Sequence, residues 1–255
     1  MTQIERGAPV GMFDSGVGGL SVLRQAVKEL PNESFLFFGD TLNAPYGTKT
    51  REEVLSLSRR AVEMLLGRGC KAIVIACNTA TSAAAGALRA EYPHLPIIGM
   101  EPALKPASML RSGGVILSLA TPGTIAGEKY ISLMARYGDG VVSLPCPGLM
   151  EFVERLETDG PALEDYLLRQ IGPYLDRQID AVVLGCTHYV FLRPVLSRML
   201  PGTPLIDGNE GTVRQLKNRL EETGLRADAD NKGTVELLSS GGEEAIKRME
   251  KLLNA

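Results

Sequence analysis

Nine short apolar runs punctuate the chain, near 9–13, 34–39, 72–76, 96–100, 114–119, 140–144, 180–185, 203–206 and 234–238. Runs of this length, bounded by polar or turn-forming residues, predict strands covered on both faces, as in a parallel sheet. Between them the apolar spacing changes. Leu20, Leu23, Val27 and Leu30 fall on one face of a helix. Strands and helices in alternation predict an α/β protein with mainly parallel sheets flanked by helices.

Two of the runs end alike. "KAIVIACNTAT" stops at Cys77 and "DAVVLGCTHYV" at Cys186, 109 residues apart, and each leads into a predicted helix. Fainter pairs share the spacing: "VGMFDSGVGGL" from Val10 with "VILSLATPGTI" from Val115, and "PIIGMEP" from Pro96 with "PLIDGNE" from Pro204. A constant offset is the mark of a duplicated unit. We therefore expect two similar domains related by a pseudo-twofold axis, one formed by 1–99 plus 208–255 and the other by 100–207. The segment 208–255 is too short to stand alone and is expected to pack back onto the first half.

Polar residues where such strands end lie where α/β proteins bind ligands, outside the carboxyl edge of the sheet. Each cluster also has a plainer reading. Cys77 can be a small core residue and Asn78–Thr79 a helix cap. In "FDSGVGGL" the glycines Gly16, Gly18 and Gly19 miss the dinucleotide fingerprint, because its third position is Ser21, although Asp40 stands about where a ribose-binding acid would. The better functional reading is a carboxylate held by Ser15 and free backbone N–H groups at a helix N-terminus, with Asp14 in the same crevice. Asp14 can equally be a cap. "NAPYGTKT" reads as a proline-initiated turn capped by Thr48 or Thr50. His188, two residues after Cys186, gains weight from its neighbour, whereas His94 lies in a surface-type loop and receives no role.

Composition narrows the function. At 255 residues, 44% hydrophobic and 22% charged, the chain is ordinary for a globular protein. A net charge of −3 with no basic run argues against nucleic acid or an anionic membrane as partner. No stretch approaches the ~20 apolar residues of a membrane span. The opening "MTQIERGAPV" lacks the apolar core of a secretion signal, and with four cysteines this points to free thiols in a reducing cytoplasm.

Three chemistries use such residues. Zinc is weakly supported, because the cysteines lack close paired spacing. A Cys–His acyl-transfer site, with either cysteine as nucleophile and His188 as base, leaves one matched cysteine without a task. Proton transfer at a stereocentre uses both, since inverting a carbon acid needs a base on one face and an acid on the other. Cysteine suits this because its ordinary pKa of ~8.5 makes thiol and thiolate both accessible. A two-domain binding protein without catalysis is the alternative from another class, and it has no need of paired thiols.

"FDSGVGGLSVL", "PYGTKT", "ACNTAT" and "GCTHYV" together resemble the glutamate racemases of the aspartate/glutamate racemase family, in the right order over nearly the whole chain. The resemblance implies a two-domain α/β fold with the active site in the interdomain cleft, and cofactor-independent interconversion of L- and D-glutamate for peptidoglycan synthesis in the cytoplasm. It implies no metal and no pyridoxal phosphate, and the expected assembly is a homodimer. Carried over residue by residue, Cys77 and Cys186 are the acid/base thiols, assisted by Asp14 and His188. Ser15, Tyr46, Gly47, Asn78, Thr79, Thr121, Thr187 and His188 match positions that hold the amino acid. Glu154, in "CPGLMEFVERLETDG", aligns with a glutamate of the family, and Gly127 stands where a serine is common. The "CTH" triplet favours glutamate, because the family's aspartate racemases tend to carry an acid in place of His188. Cys70 and Cys146, away from the matched strand ends, are read as structural.

Overall fold

A computed structural model describes residues 5–254. Among these residues there are nine strands: β1 (Val10–Asp14), β2 (Phe35–Gly39), β3 (Ala72–Ile75), β4 (Ile97–Gly99), β5 (Val115–Ala120), β6 (Val141–Pro145), β7 (Ile179–Leu184), β8 (Leu205–Ile206) and β9 (Val235–Ser239). Every apolar run expected to be a strand is one, within two residues at each end. The strands form two sheets, ordered β4-β3-β1-β2-β9 and β6-β5-β7-β8, and every pairing is parallel.

Viewed from the other edge, the second sheet runs β8-β7-β5-β6, strand for strand the order β4-β3-β1-β2 of the first. The faint sequence repeat is thus a repeat of topology. β1 and β5 are the strands from which the chain departs in both directions, so the crevice at their carboxyl ends is a topological switch point in each sheet, the favoured ligand position in open α/β folds. The cysteine-bearing β3 and β7 flank those central strands.

Helices cover the sheets: α1 (Leu20–Glu29), α2 (Arg51–Gly67), α3 (Asn78–Glu91), α4 (Leu104–Ser108), α5 (Pro122–Ile125), α6 (Glu128–Tyr137), α7 (Leu149–Glu154), α8 (Pro161–Ile171), α9 (Arg193–Met199), α10 (Asn209–Glu222) and α11 (Gly242–Asn254). In α1 the inward face is Leu20, Val22, Leu23 and Ala26, continued by the buried C-cap Leu30, while Val27, expected on that face, is 37% exposed. The helix packs on both α10 and α11, and Ala26 rather than the bulkier Val27 points inward there. Thr50 caps α2 in a reciprocal box: its hydroxyl accepts from Glu53 N at 3.2 Å and its own N–H donates to Glu53 Oε2 at 2.8 Å. One apolar cluster runs from Met12, Phe37 and Val74 of the first sheet through to Leu117, Val182 and Leu184 of the second, so the two sheets share a core along one face.

The amino-terminal edge of the first sheet is tied by a buried ion pair. Lys71 Nζ lies 2.6 Å from Glu33 Oε2, with both side chains at most 1% exposed. Lys71 also donates to the Arg6 carbonyl, and Glu33 Oε1 accepts from Ala227 N at 2.9 Å. The pair links the start of β3, the turn before β2 and the segment leading to β9. Removing one partner of such a pair strands the other charge away from water. Glu33→Ala is therefore expected to lower unfolding free energy by about 3–5 kcal/mol in urea titration; a loss under about 1 kcal/mol would show that the pair is dispensable.

Candidate active site

The strand ends are level. Asp14 pairs in register with Gly39, and Ala76 N donates to Phe13 O at 2.9 Å, so Asp14, Asp40 and Cys77 emerge at one edge of the first sheet. At the second sheet Gly185 N donates to Leu119 O at 2.7 Å and Cys146 N to Ala120 O at 2.9 Å, bringing Thr121, Cys146 and Cys186 to the corresponding edge.

Cys77 is itself the N-cap of α3. Its sulfur accepts from Ala80 N at 3.4 Å and donates towards Ser15 Oγ at 3.6 Å. The capping role expected of Asn78–Thr79 thus belongs to the cysteine, and those two residues form the first turn. Both amide atoms of Asn78 are buried without a protein partner, although buried polar groups are ordinarily bonded. They face no competitor for a ligand. The hydroxyl of Thr79 bridges to the second half, 3.1 Å from Thr121 Oγ1 and 3.1 Å from Thr124 Oγ1. Thr124 escaped the sequence reading, although its spacing from Thr121 is that of a cap, and its N–H does donate to Thr121 Oγ1 at 3.2 Å.

Tyr46 is buried and donates its hydroxyl to Asp40 Oδ2 at 2.7 Å, while Asn43 Nδ2 donates to Asp40 Oδ1 at 2.8 Å. Asp40 therefore anchors this loop and is not open to a ribose. Gly47 lies against the second half, where a Cβ would come within 2.9 Å of Thr121.

From the second half, a 3-10 turn over Thr187–Leu192, in place of the expected helix, follows Cys186. The Cys186 sulfur lies 3.6 Å from His188 Nδ1, and His188 Nε2 lies 2.7 Å from Glu154 Oε1 at the end of α7. Glu154 Oε1 in turn accepts from Val17 N at 2.8 Å, and Gly18 N points at His188 Nε2 from 3.3 Å. Thr187 Oγ1 donates to Asp14 Oδ1 at 3.1 Å, and Gly16 N to Asp14 Oδ2 at 3.0 Å. The backbone N–H groups of Gly16 and Val17, expected to be free for a substrate carboxylate, are taken by the protein's own Asp14 and Glu154, and that of Gly18 is covered by the His188 ring. Nor does Asp14 cap α1, whose N-cap Gly19 has no side-chain partner.

The glycines now have a physical cause. A Cβ on Gly16 would fall 1.9 Å from Glu154 Oε1, and one on Gly18 would fall 2.3 Å from His188 Nδ1 and 2.6 Å from His188 backbone N. They are bare so that the second half can close on the first.

Burial, and next the Asp14 carboxylate, push the Cys77 thiol up to about 12. Burial likewise raises Asp14, opposed by His188. For His188, burial favours the neutral ring, but hydrogen bonds to Cys186 and Glu154 outweigh it and hold the pKa well above the ordinary value. Burial would raise Glu154, yet its bonds to His188 and Val17 N leave it lowered. His188 and Glu154 are therefore an imidazolium–carboxylate pair, with the cation against the Cys186 sulfur. Cys77 therefore keeps its proton in an acidic neighbourhood, while Cys186 faces a cation. Among the described residues no cluster suited to a metal ion is found, and the four cysteines are free. Cys70 and Cys146 are buried in apolar surroundings.

Cys77 and Cys186 are only 6% and 8% exposed. The larger cavity, about 840 Å³, opens between α1 and the Val190–Pro194 stretch and includes neither thiol; volume does not mark the site. A smaller one, about 280 Å³, has Thr79 in its wall.

Two repeated parallel sheets presenting a thiol each beside a switch point define an amino-acid-racemase type of isomerase. Residues 15–216 match the Asp/Glu/Hydantoin racemase family, and the chain belongs to that family of enzymes. It is 52% identical over 250 residues to the glutamate racemase of Clostridium novyi, covering 96% of each chain. It is 47% identical over 251 residues to that of Clostridium perfringens, covering 97% of this chain and 96% of the other. The crystal structure of Escherichia coli glutamate racemase in complex with L-glutamate and the activator UDP-MurNAc-Ala matches with a TM-score of 0.84 at 30% identity, over 97% of this chain and 94% of that one. The resemblance carried by the four motifs is borne out, as is the α/β fold. No helix among the described residues is long and apolar enough to cross a membrane.

The contacts around Gly18 and His188 can each be tested by stability. Gly18→Ala meets backbone as well as side chain, so no rotamer relieves it, and overpacking of this kind costs about 1–3 kcal/mol; a denaturation midpoint equal to the parent's would refute the close contact. His188 has a folded pKa raised above its unfolded value of 6.5. Its stabilisation is thus complete below that value and is lost as pH rises through the folded pKa. The stability difference between the parent and His188→Asn should be largest near about pH 6 and shrink as the pH is raised; a difference growing with pH would show that the ring is buried neutral.

Proposed function

We propose that the chain interconverts L- and D-glutamate by proton transfer at Cα between Cys77 and Cys186, without a cofactor. The observation that carries this reading is the equivalence of the two thiols. Each follows the strand beside a switch point in a repeated sheet, and each is buried. One sulfur, as thiolate, takes the α-proton from one face of the carbon, and the other, as thiol, delivers its own proton to the opposite face. The configuration inverts and the protonation states of the sulfurs exchange. A single acid–base group contributes about 10²–10⁴-fold, so neither thiol is dispensable.

Asp14 serves the Cys77 side and His188 the Cys186 side, with Glu154 holding the imidazolium. Ser15, Tyr46, Gly47, Asn78, Thr79, Thr121 and Thr187, with Asp14 and His188, bind the amino acid; the unpartnered amide of Asn78 supports this. In this reading 1–99 with 208–255 form the domain that supplies Cys77, and 100–207 the one that supplies Cys186. We further propose that the enzyme is a cytoplasmic homodimer and that its D-glutamate feeds peptidoglycan synthesis. The buried Lys71, paired with Glu33 at the opposite edge of the sheet, is not placed to form a Schiff base with a cofactor.

The chain Cys186–His188–Glu154 supports a second reading, since it has the form of a nucleophile–base–carboxylate triad. Heavy water separates the two. When L-glutamate is incubated in D₂O, early D-glutamate is expected to carry deuterium at Cα while the remaining L-glutamate stays protiated, as read by mass spectrometry at low conversion. Protium retained in early D-glutamate would refute the two-thiol mechanism. A hydrolase would give no Cα exchange at all.

A further inference from the structure

The buried thiols need a way in, and the 280 Å³ cavity beside Thr79 carries two cationic side chains, Lys49 and Arg51, in its wall. It lies where the halves meet: Lys49 from the loop before α2 and Arg51 at its first position, Thr79 and Ser82 from α3, and Gly127 and Glu128 at the N-cap and first position of α6. Its Thr79 wall is two residues beyond Cys77. Arg51 Nη1 reaches across the mouth to Glu128 Oε1 at 3.1 Å, with the two side chains 61% and 79% exposed. An ion pair so exposed is weak and easily exchanged. Lys49 has no ion-pair contact among the described residues, leaving the mouth with one surplus positive charge on a chain of net charge −3. Gly127 adds a close approach between the halves, since a Cβ there would fall 2.2 Å from Ser82 Oγ.

We propose that this cavity is the vestibule through which the dicarboxylate substrate reaches the thiols. Lys49 and Arg51 are its collecting charges, and Arg51 exchanges Glu128 for the incoming carboxylate. The surrounding chain repels an amino acid with two carboxylates and one ammonium, so local cations raise its concentration where the cleft opens. This assignment rests on glutamate as the substrate. It gives Lys49 and Arg51 no part in the chemistry, which stays with Cys77 and Cys186.

The test is steady-state racemisation of glutamate over a range of ionic strength. The double variant Lys49→Ala/Arg51→Ala is expected to lose about tenfold in kcat/KM at low salt, with kcat within about twofold of the parent. The deficit should fade as salt shortens the screening length to about 3–4 Å near molar strength. Arg51→Lys should restore most of the loss. Glu128→Gln, which frees Arg51 and removes a negative charge from the mouth, should raise kcat/KM. Lys247→Ala removes one charge from α11, outside the cavity wall, and should leave kcat/KM unchanged. A double variant with the parent's kcat/KM, a matching fall in kcat, or a deficit indifferent to salt would overturn the vestibule while leaving the racemase reading intact. A parent inactive on glutamate would overturn the substrate assignment, and the vestibule with it.

Discussion

Everything at this site depends on how closely the second half can approach the turn after β1. Gly16 and Gly18 present bare backbone, so Glu154 and His188 sit where Cβ atoms would otherwise be. That contact joins the halves through the Val17–Glu154 and Thr187–Asp14 hydrogen bonds, with the His188 ring packed on Gly18. The Thr187–Asp14 bond is buried, where an unpaired partner would be costly. The same contact closes the space around the thiols and sets the electrostatics within it.

Those electrostatics are asymmetric although the fold is symmetric. On the first side a carboxylate, Asp14, and burial act together to keep a proton on Cys77. On the second, a cationic ring stands against Cys186, held in its charged form by Glu154. A duplicated sheet supplies two equivalent thiols, but it does not supply them with equal surroundings. The difference comes from the neighbours: Asp14 closes β1, whereas the equivalent end of β5 carries Ala120–Thr121, with Thr121 engaged by Thr79 and Thr124. The opposite edge of the first sheet carries its own buried charge pair, Lys71–Glu33. The sheet is therefore fixed at one end by a static ion pair and shaped at the other by groups whose charges can change.

The sequence by itself determined the strands, the helices between them, the duplication and the paired cysteines. A strand covered on both faces must be apolar at every position, so its identity is written locally. The duplicated order of β4-β3-β1-β2 and β8-β7-β5-β6 preserved the chain spacing, so Cys77 and Cys186 match by their positions along the chain alone. Only the tertiary structure decided the rest. Glu154 meets Val17 across 137 residues of chain and fills an amide expected to be open, Thr187 reaches Asp14, and Val27 rotates outward. None of these has a local signature. Each depends on which atoms the opposite half or a packed helix presents at a distance of a few ångströms, and that is set by closure of the two sheets on each other rather than by the residues next along the chain.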